Sequence, residues 1–161
     1  MVLLIAGGWF DPWSDREDGK LLLEEPIFIP KNSYSQIGVF DLTNPHATLT
    51  LETKQPSDGI LSADWPESGL QINFYPSGFL EVWQGETLLH PLQDFPHIQL
   101  VETGGINQID IRQSNSATQE VEVWINREIA FSGCSACMKG KLDVSLSSYT
   151  TLYEGIIKIT N

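Results

Sequence analysis

The sequence predicts a two-sheet antiparallel β-sandwich, on three observations. Apolar residues recur at every second position in one segment after another, helical periodicity is almost absent, and turn residues fall between the apolar runs at short, regular spacing.

Leu49 and Leu51 alternate with Thr48, Thr50 and Glu52, and Asn44-Pro45 stands before them as a turn. Ser57-Asp58-Gly59 and Pro66-Glu67-Ser68-Gly69 are the next turns. Leu70, Ile72 and Phe74 then alternate with Gln71, Asn73 and Tyr75; after Pro76-Ser77-Gly78, Leu80 and Val82 alternate with Phe79, Glu81 and Trp83. This pair reads as a hairpin. From Gly85 to Gly104-Gly105 the prolines Pro91 and Pro96 read as loop, with His90 and His97 as polar loop residues. Ile109 and Ile111, then Val121, Val123 and Ile125, and finally Leu142, Val144 and Leu146 each show one apolar face, with Ser114-Asn115-Ser116 and Gly133 as breaks. Roughly ten to twelve short strands result, too many for one open sheet, and two stacked sheets accommodate them. No linker, low-complexity tract or internal repeat divides the chain, so residues 1–161 are expected to form a single domain.

Nine Lys and Arg against 21 Asp and Glu give a formal net charge of −12. Such a field repels phosphate and anionic lipid, so no direct nucleic-acid contact and no membrane binding are expected. The N-terminal apolar run is short, lacks a basic segment before it and is followed by acidic residues, which does not fit a signal peptide, and no run approaches the length of a spanning helix. A soluble, cytoplasmic protein is the expectation. Cys134 and Cys137 alone cannot build a disulfide framework, and they are expected to be reduced loop thiols.

The stretch Gly69 to Gly133 resembles the concanavalin A-like jelly-roll superfamily of lectins, laminin-G-type domains and glucanases. The resemblance rests on the order Gly69–Tyr75, Ser77–Trp83, Gly104–Ile111 and Val121–Asn126, with Gly140–Val144 and Tyr153–Ile159 similar to closing strands and Trp9–Trp13 and Gly19–Leu22 similar to a first-strand region. It implies a jelly roll and leaves function open, since such folds host glycan binders, glycan hydrolases and docking modules. Arg127 stands where the superfamily's hairpin turn usually has glycine. Because an arginine at positive φ is strained, that turn is expected to depart from type I′.

Glucanases of the superfamily carry a Glu, an Asp and a second Glu on successive same-face positions of one strand, where one acid is nucleophile and another protonates the leaving oxygen. Here those positions read Glu120, Glu122 and Trp124, so the middle Asp is replaced and the last acid is gone. Asp110 could face Glu122 on the next strand or belong to an ordinary solvated face. No catalytic residue is assigned, and the protein is not expected to be an enzyme. Cys134-Ser135-Ala136-Cys137 is half a zinc ligand set, and His46, His90 and His97 are scattered rather than spaced as partners. Asp11, Asp15 and Asp18, or Asp58 and Asp64, match no calcium-loop spacing. Neither a metal nor another cofactor is expected.

Tyr75, Phe79 and Trp83 fall on the opposite face of their hairpin from the aliphatic side chains, and Trp124 likewise opposes Val121, Val123 and Ile125. With the aliphatic faces inside, these four form an outward binding stripe suited to a protein surface or a pyranose ring, unless loops or the N-terminal segment cover it. Two partners are therefore in view. The leading expectation is a non-catalytic accessory subunit docking on a protein or larger assembly; a carbohydrate-binding, lectin-like module is the alternative, and a glycoside hydrolase the third.

Overall fold

The computed structural model describes residues 19–161, so Trp9–Trp13, Asp11, Asp15 and Asp18 lie outside the described residues. Among the described residues, twelve strands and one short 3-10 turn make up the regular structure. In chain order they are β1 (Leu21–Ile29), β2 (Ser33–Phe40), β3 (His46–Thr53), β4 (Ile60–Trp65), β5 (Leu70–Tyr75), β6 (Phe79–Gln84), β7 (Thr87–Asp94), the turn Val101–Thr103, β8 (Ile106–Gln113), β9 (Glu120–Ile125), β10 (Glu128–Ser135), β11 (Leu142–Ser148) and β12 (Tyr153–Thr160).

All pairings are antiparallel and make two six-stranded sheets. Sheet A runs β1-β12-β3-β8-β9-β10, and sheet B runs β2-β11-β4-β5-β6-β7. The expected sandwich is what forms. Among the described residues no helix is long and apolar enough to cross a membrane.

Period-two patterning places one side of each sheet in a shared interior. Leu49, Leu51, Ile109, Ile111, Val121, Val123, Ile125, Ile157 and Ile159 come from sheet A; Leu61, Ala63, Trp65, Leu70, Ile72, Phe74, Leu80, Val82, Leu142, Val144 and Leu146 come from sheet B, and all are buried. At ~25 cal/mol per Å² of apolar area, this burial is the main force holding the sheets together.

Two local expectations are corrected here. The segment read as loop around Pro91 contains β7, an edge strand of sheet B, and an edge tolerates proline because one side of the strand needs no ladder hydrogen bonds. The β9–β10 hairpin does turn through two residues at positive φ, Asn126 at 51° and Arg127 at 72°, as a type I′ turn requires. Asn126 holds it there: its Oδ1 accepts from the Gln108 amide at 2.9 Å, while its Nδ2 donates to the His97 carbonyl at 2.7 Å and to Asn107 Oδ1 at 2.9 Å. These contacts offset the backbone cost of Arg127.

Cys134 and Cys137 form a disulfide across a Cα–Cα distance of 5.7 Å, correcting the expectation of reduced thiols. Cys134 at φ 60° and Ala136 at φ 55° fold the end of β10 back on itself, which brings two sulfurs three positions apart within bonding reach.

Candidate functional site

The outer face of sheet B consists of cross-strand rows set by register. Asp143 of β11 lies opposite Asp64 of β4, Asp64 opposite Gln71 of β5, and Gln71 opposite Trp83 of β6. The next row runs Gln36, Ser145, Ser62, Asn73 and Glu81. Beyond it Tyr75 faces Phe79, and Tyr34 of β2 faces Ser147. The face therefore grades from an acidic row ending in an indole, through a row of amides and hydroxyls, to an aromatic row.

Hydrogen bonds fix the middle of this face. Asn73 Oδ1 accepts from Ser62 Oγ at 2.8 Å and from Gln71 Nε2 at 3.2 Å, and Asn73 Nδ2 donates to Glu81 Oε1 at 2.9 Å. The Tyr75 hydroxyl donates to the same Glu81 oxygen at 2.9 Å. Burial, then the hydrogen bond to Glu81 and the nearby charges of Glu81 and Tyr149, push the Tyr75 phenol above its ordinary range, so it stays a neutral donor. Its ring meets Phe79 edge to face, with centroids 6.5 Å apart. Tyr34 is 66% exposed and Tyr149 48% exposed, so the aromatic row has solvent-facing members that a ligand can reach.

Asp64 Oδ1 is sealed from solvent without a hydrogen-bond partner. Desolvation, reinforced by the charge of Asp143 opposite, pushes its pKa up to about 6. The native state thus keeps its proton where the unfolded chain, ionising near 3.8, has lost it. Stability falls as pH rises between those values and stays lower above them. Asp64→Asn is expected to stabilise the fold by about 1–2 kcal/mol at pH 8, after allowing for the solvent that still screens the side chain, and by almost nothing at pH 4. Urea unfolding at the two pH values measures this; equal effects at both would contradict it.

The structure divides the four predicted binding aromatics. Tyr75, Phe79 and Trp83 share the outer face of sheet B, half-buried, whereas Trp124 lies on the outer face of sheet A, on the opposite side of the sandwich. Period two gives in or out but not which sheet, so a single stripe of four does not exist. Trp124 is engaged where it sits: its Nε1 donates to Glu122 Oε1 at 3.0 Å, Arg112 Nε donates to that oxygen at 3.0 Å, and the guanidinium lies 4.9 Å from the indole centroid. Glu120 accepts from Ser132 Oγ at 3.3 Å.

Asp110 opposes Trp124 rather than Glu122, and at 1% exposure it is not part of a solvated face. His46 Nε2 at 2.9 Å and Thr48 Oγ1 at 2.5 Å meet its Oδ1, and Gln108 Nε2 donates to Oδ2 at 2.9 Å. Asp58 is likewise structural. Against a desolvation that would raise it, hydrogen bonds from Thr150 and Thr151 hold its carboxyl well below the ordinary range. Among the described residues no three His, Cys, Asp or Glu side chains are grouped to hold a metal ion.

A cleft of about 580 Å³ opens at the end of sheet A beside His46, Arg112, Ser114 and Glu122. Size alone favours it as a binding site. Its charged walls spend their polar atoms on one another and on Asp110, however, whereas the face of sheet B keeps exposed aromatics beside its row of amides and hydroxyls. The sheet B face is therefore the stronger candidate. Sequence reasoning found Tyr75, Phe79 and Trp83, weighed Asp64 only as a calcium ligand, and missed Tyr34, Asn73, Glu81, Asp143 and Tyr149. Of these, only Asn73 and Glu81 carried a usable signal, by sharing the outward alternation of the predicted hairpin.

Fold and face together define a concanavalin A-like jelly roll with one open, aromatic and hydroxyl-rich surface. The carbohydrate recognition domain of Emp46p in its metal-free form is similar, with a TM-score of 0.57 at 10% identity over 94% of this chain and 90% of that one. A prokaryotic β-1,3-1,4-glucanase (lichenase) derived from a mouse hindgut metagenome superposes with a TM-score of 0.53 at 8% identity, covering 88% and 83% of the two chains. A sialidase matches with a TM-score of 0.51 at 11% identity over 89% of this chain and 16% of its own. The sequence itself matches no protein-family model and no curated protein. At these identities the likeness is one of fold.

Proposed function

We propose that this protein is a non-catalytic carbohydrate-binding module whose site is the outer face of sheet B. The observation that carries the reading is the juxtaposition, on adjacent strands, of the Tyr75–Phe79 pair and Trp83 with the hydrogen-bonded row Ser62, Asn73 and Glu81. Flat aromatic faces cover the apolar faces of a pyranose, and fixed amide, hydroxyl and carboxylate groups take up its hydroxyls. Fold neighbours named for carbohydrate recognition or glucan cleavage support this choice over the docking role expected from the charge and the aromatic stripe. The replaced acid motif, with Glu122 held by Arg112 and Trp124, supports a binding role over hydrolysis. The Cys134–Cys137 disulfide favours an oxidising compartment over the cytoplasm.

Calorimetric titration with β-linked gluco-oligosaccharides tests the reading. Trp83→Ala and Tyr75→Ala are each expected to weaken binding about tenfold, or ~1.4 kcal/mol, and Trp124→Ala to leave it unchanged. Binding lost with Trp124 but kept without Trp83 would move the site to sheet A. Failure of every saccharide to bind would return the aromatic face to the protein-docking reading.

A further inference from the structure

Aromatic side chains stand at two diagonally opposite corners of the sheet B face. At one corner Tyr34, on the edge strand β2, is largely exposed, and Ser147 opposite it on β11 donates to the hydroxyl of the exposed Tyr149 at 3.4 Å. At the other, Trp83 of β6 lies opposite Leu88 of the edge strand β7, which is 43% exposed. The register sets Tyr34 and Trp83 four strands apart across the sheet and two rows apart along it. At about 4.8 Å between strands and ~3.4 Å per residue, the two positions lie roughly 23 Å apart, the length of about four or five pyranose rings in an extended chain.

We infer that this face takes an interior stretch of a neutral, extended glycan chain lying diagonally from Tyr34 to Trp83, rather than a single terminal sugar. The inference rests on the carbohydrate-binding reading above and narrows its ligand class.

Three features support it. The Tyr34–Trp83 diagonal has a flat aromatic platform at each end, whereas the other diagonal runs from Phe79 to Val39 and Asp143 and ends on an aliphatic side chain and a carboxylate. Between the platforms the chain would cross Ser145 on β11, Ser62 on β4 and Asn73 on β5, with the Ser62 hydroxyl and the Asn73 amide already fixed by their mutual hydrogen bond at 2.8 Å, so polar groups stand ready for ring hydroxyls along the way. Both ends also reach the margin of the sheet. No strand of sheet B follows β2, and only β7 with its exposed Leu88 follows β6, so among the described residues no strand walls off either end and a chain can continue past both. The carboxylates of Asp64, Asp143 and Glu81 on the same face select against sulfated or uronic acid chains, which leaves neutral ones.

The experiment measures, by calorimetry, the affinity for β-1,4-linked and β-1,3-linked glucose oligomers from dimer to hexamer. Within the linkage that binds, affinity is expected to rise at least about tenfold from dimer to pentamer and to change less than about twofold from pentamer to hexamer. Reduction of the hexamer's terminal aldehyde to the alditol is expected to leave its affinity unchanged, because an interior stretch does not use the chain end. Tyr34→Ala is expected to weaken pentamer binding about tenfold while leaving the dimer within about twofold, and Tyr34→Phe, which keeps the ring, to bind as the parent does. Tyr34 is exposed on an edge strand, so Tyr34→Ala is expected to melt as the parent does; Tyr149→Ala, at the same corner, gives a second reading of the effect, expected at about threefold. Affinity that saturates at the dimer and ignores Tyr34→Ala, with Trp83 still required, would overturn the inference and leave the carbohydrate reading standing. A length dependence abolished by Phe79→Ala but not by Tyr34→Ala would also overturn it, by laying the chain along β6. Loss of binding on alditol formation would overturn it in favour of a chain-end site. Binding of no oligomer in either linkage would overturn both readings.

Discussion

Replacing Gly155 with alanine is expected to leave the chain unable to reach its native fold. Gly155 sits in β12, between Ile27 of β1 and Thr53 of β3. A Cβ there would lie 1.8 Å from the Glu52 carbonyl oxygen and 2.7 Å from the Tyr153 hydroxyl. Tyr153 is fully buried, and its hydroxyl donates to that same carbonyl at 2.7 Å and meets Thr53 Oγ1 at 3.2 Å. The missing side chain is thus what lets a large aromatic residue reach a backbone acceptor inside the sheet. The first obstruction is backbone rather than a flexible side-chain tip, so relief means separating β12 from β3 in the middle of sheet A. Overpacking of this kind costs more than about 4 kcal/mol, a large part of the ~5–15 kcal/mol a domain has. Tyr153→Phe, which keeps the ring and removes one hydrogen bond, is expected to cost only about 1–2 kcal/mol. Circular dichroism with thermal melting distinguishes the two variants, and a cooperatively folding Gly155→Ala protein with a midpoint near that of the parent would refute the packing argument.

Gly155 also shows what a sequence can and cannot disclose. Interior strands with one buried face, such as β3, β5, β8, β9 and β11, print their alternation directly, because every second side chain must enter the core. The edge strand β7 is mostly exposed along its length and contains Pro91, so its residues carry no alternation to read. Pairing between strands distant in sequence is equally silent. Nothing near Asp64 announces Asp143, since β11 reaches β4 only through the jelly-roll crossover. The same ignorance of sheet membership joined Trp124 to Trp83, although one sheet's outer face holds the first and the opposite sheet's the second. For Cys134 and Cys137 the deciding fact was two non-glycine residues at positive φ, a conformation their residue types do not advertise.

Removing the Asp110 carboxylate is expected to cost about 3–5 kcal/mol at neutral pH, because Asp110→Ala would leave three polar side chains with unmet bonds around a buried site. The carboxylate lies on β8 under the β3 residues His46 and Thr48, which meet its Oδ1 while Gln108 holds Oδ2. Asp110→Asn keeps the shape and one acceptor, so a smaller loss of about 1–2 kcal/mol is expected. Acid sharpens the comparison. Burial alone would raise the Asp110 pKa, but hydrogen bonds from His46, Thr48 and Gln108 and the charge of His46 outweigh it and hold the group below its ordinary value. The unfolded chain therefore takes up the proton first as pH falls. The stabilisation is complete above the ordinary aspartate range near 3.9 and drains away below it. The parent protein should accordingly lose more stability between pH 5 and pH 3 than Asp110→Asn does, so that the two unfolding curves converge in acid. Urea titrations at several pH values read this convergence. Parallel curves would mean that the Asp110 charge contributes nothing to the fold and that its hydrogen bonds act through shape alone.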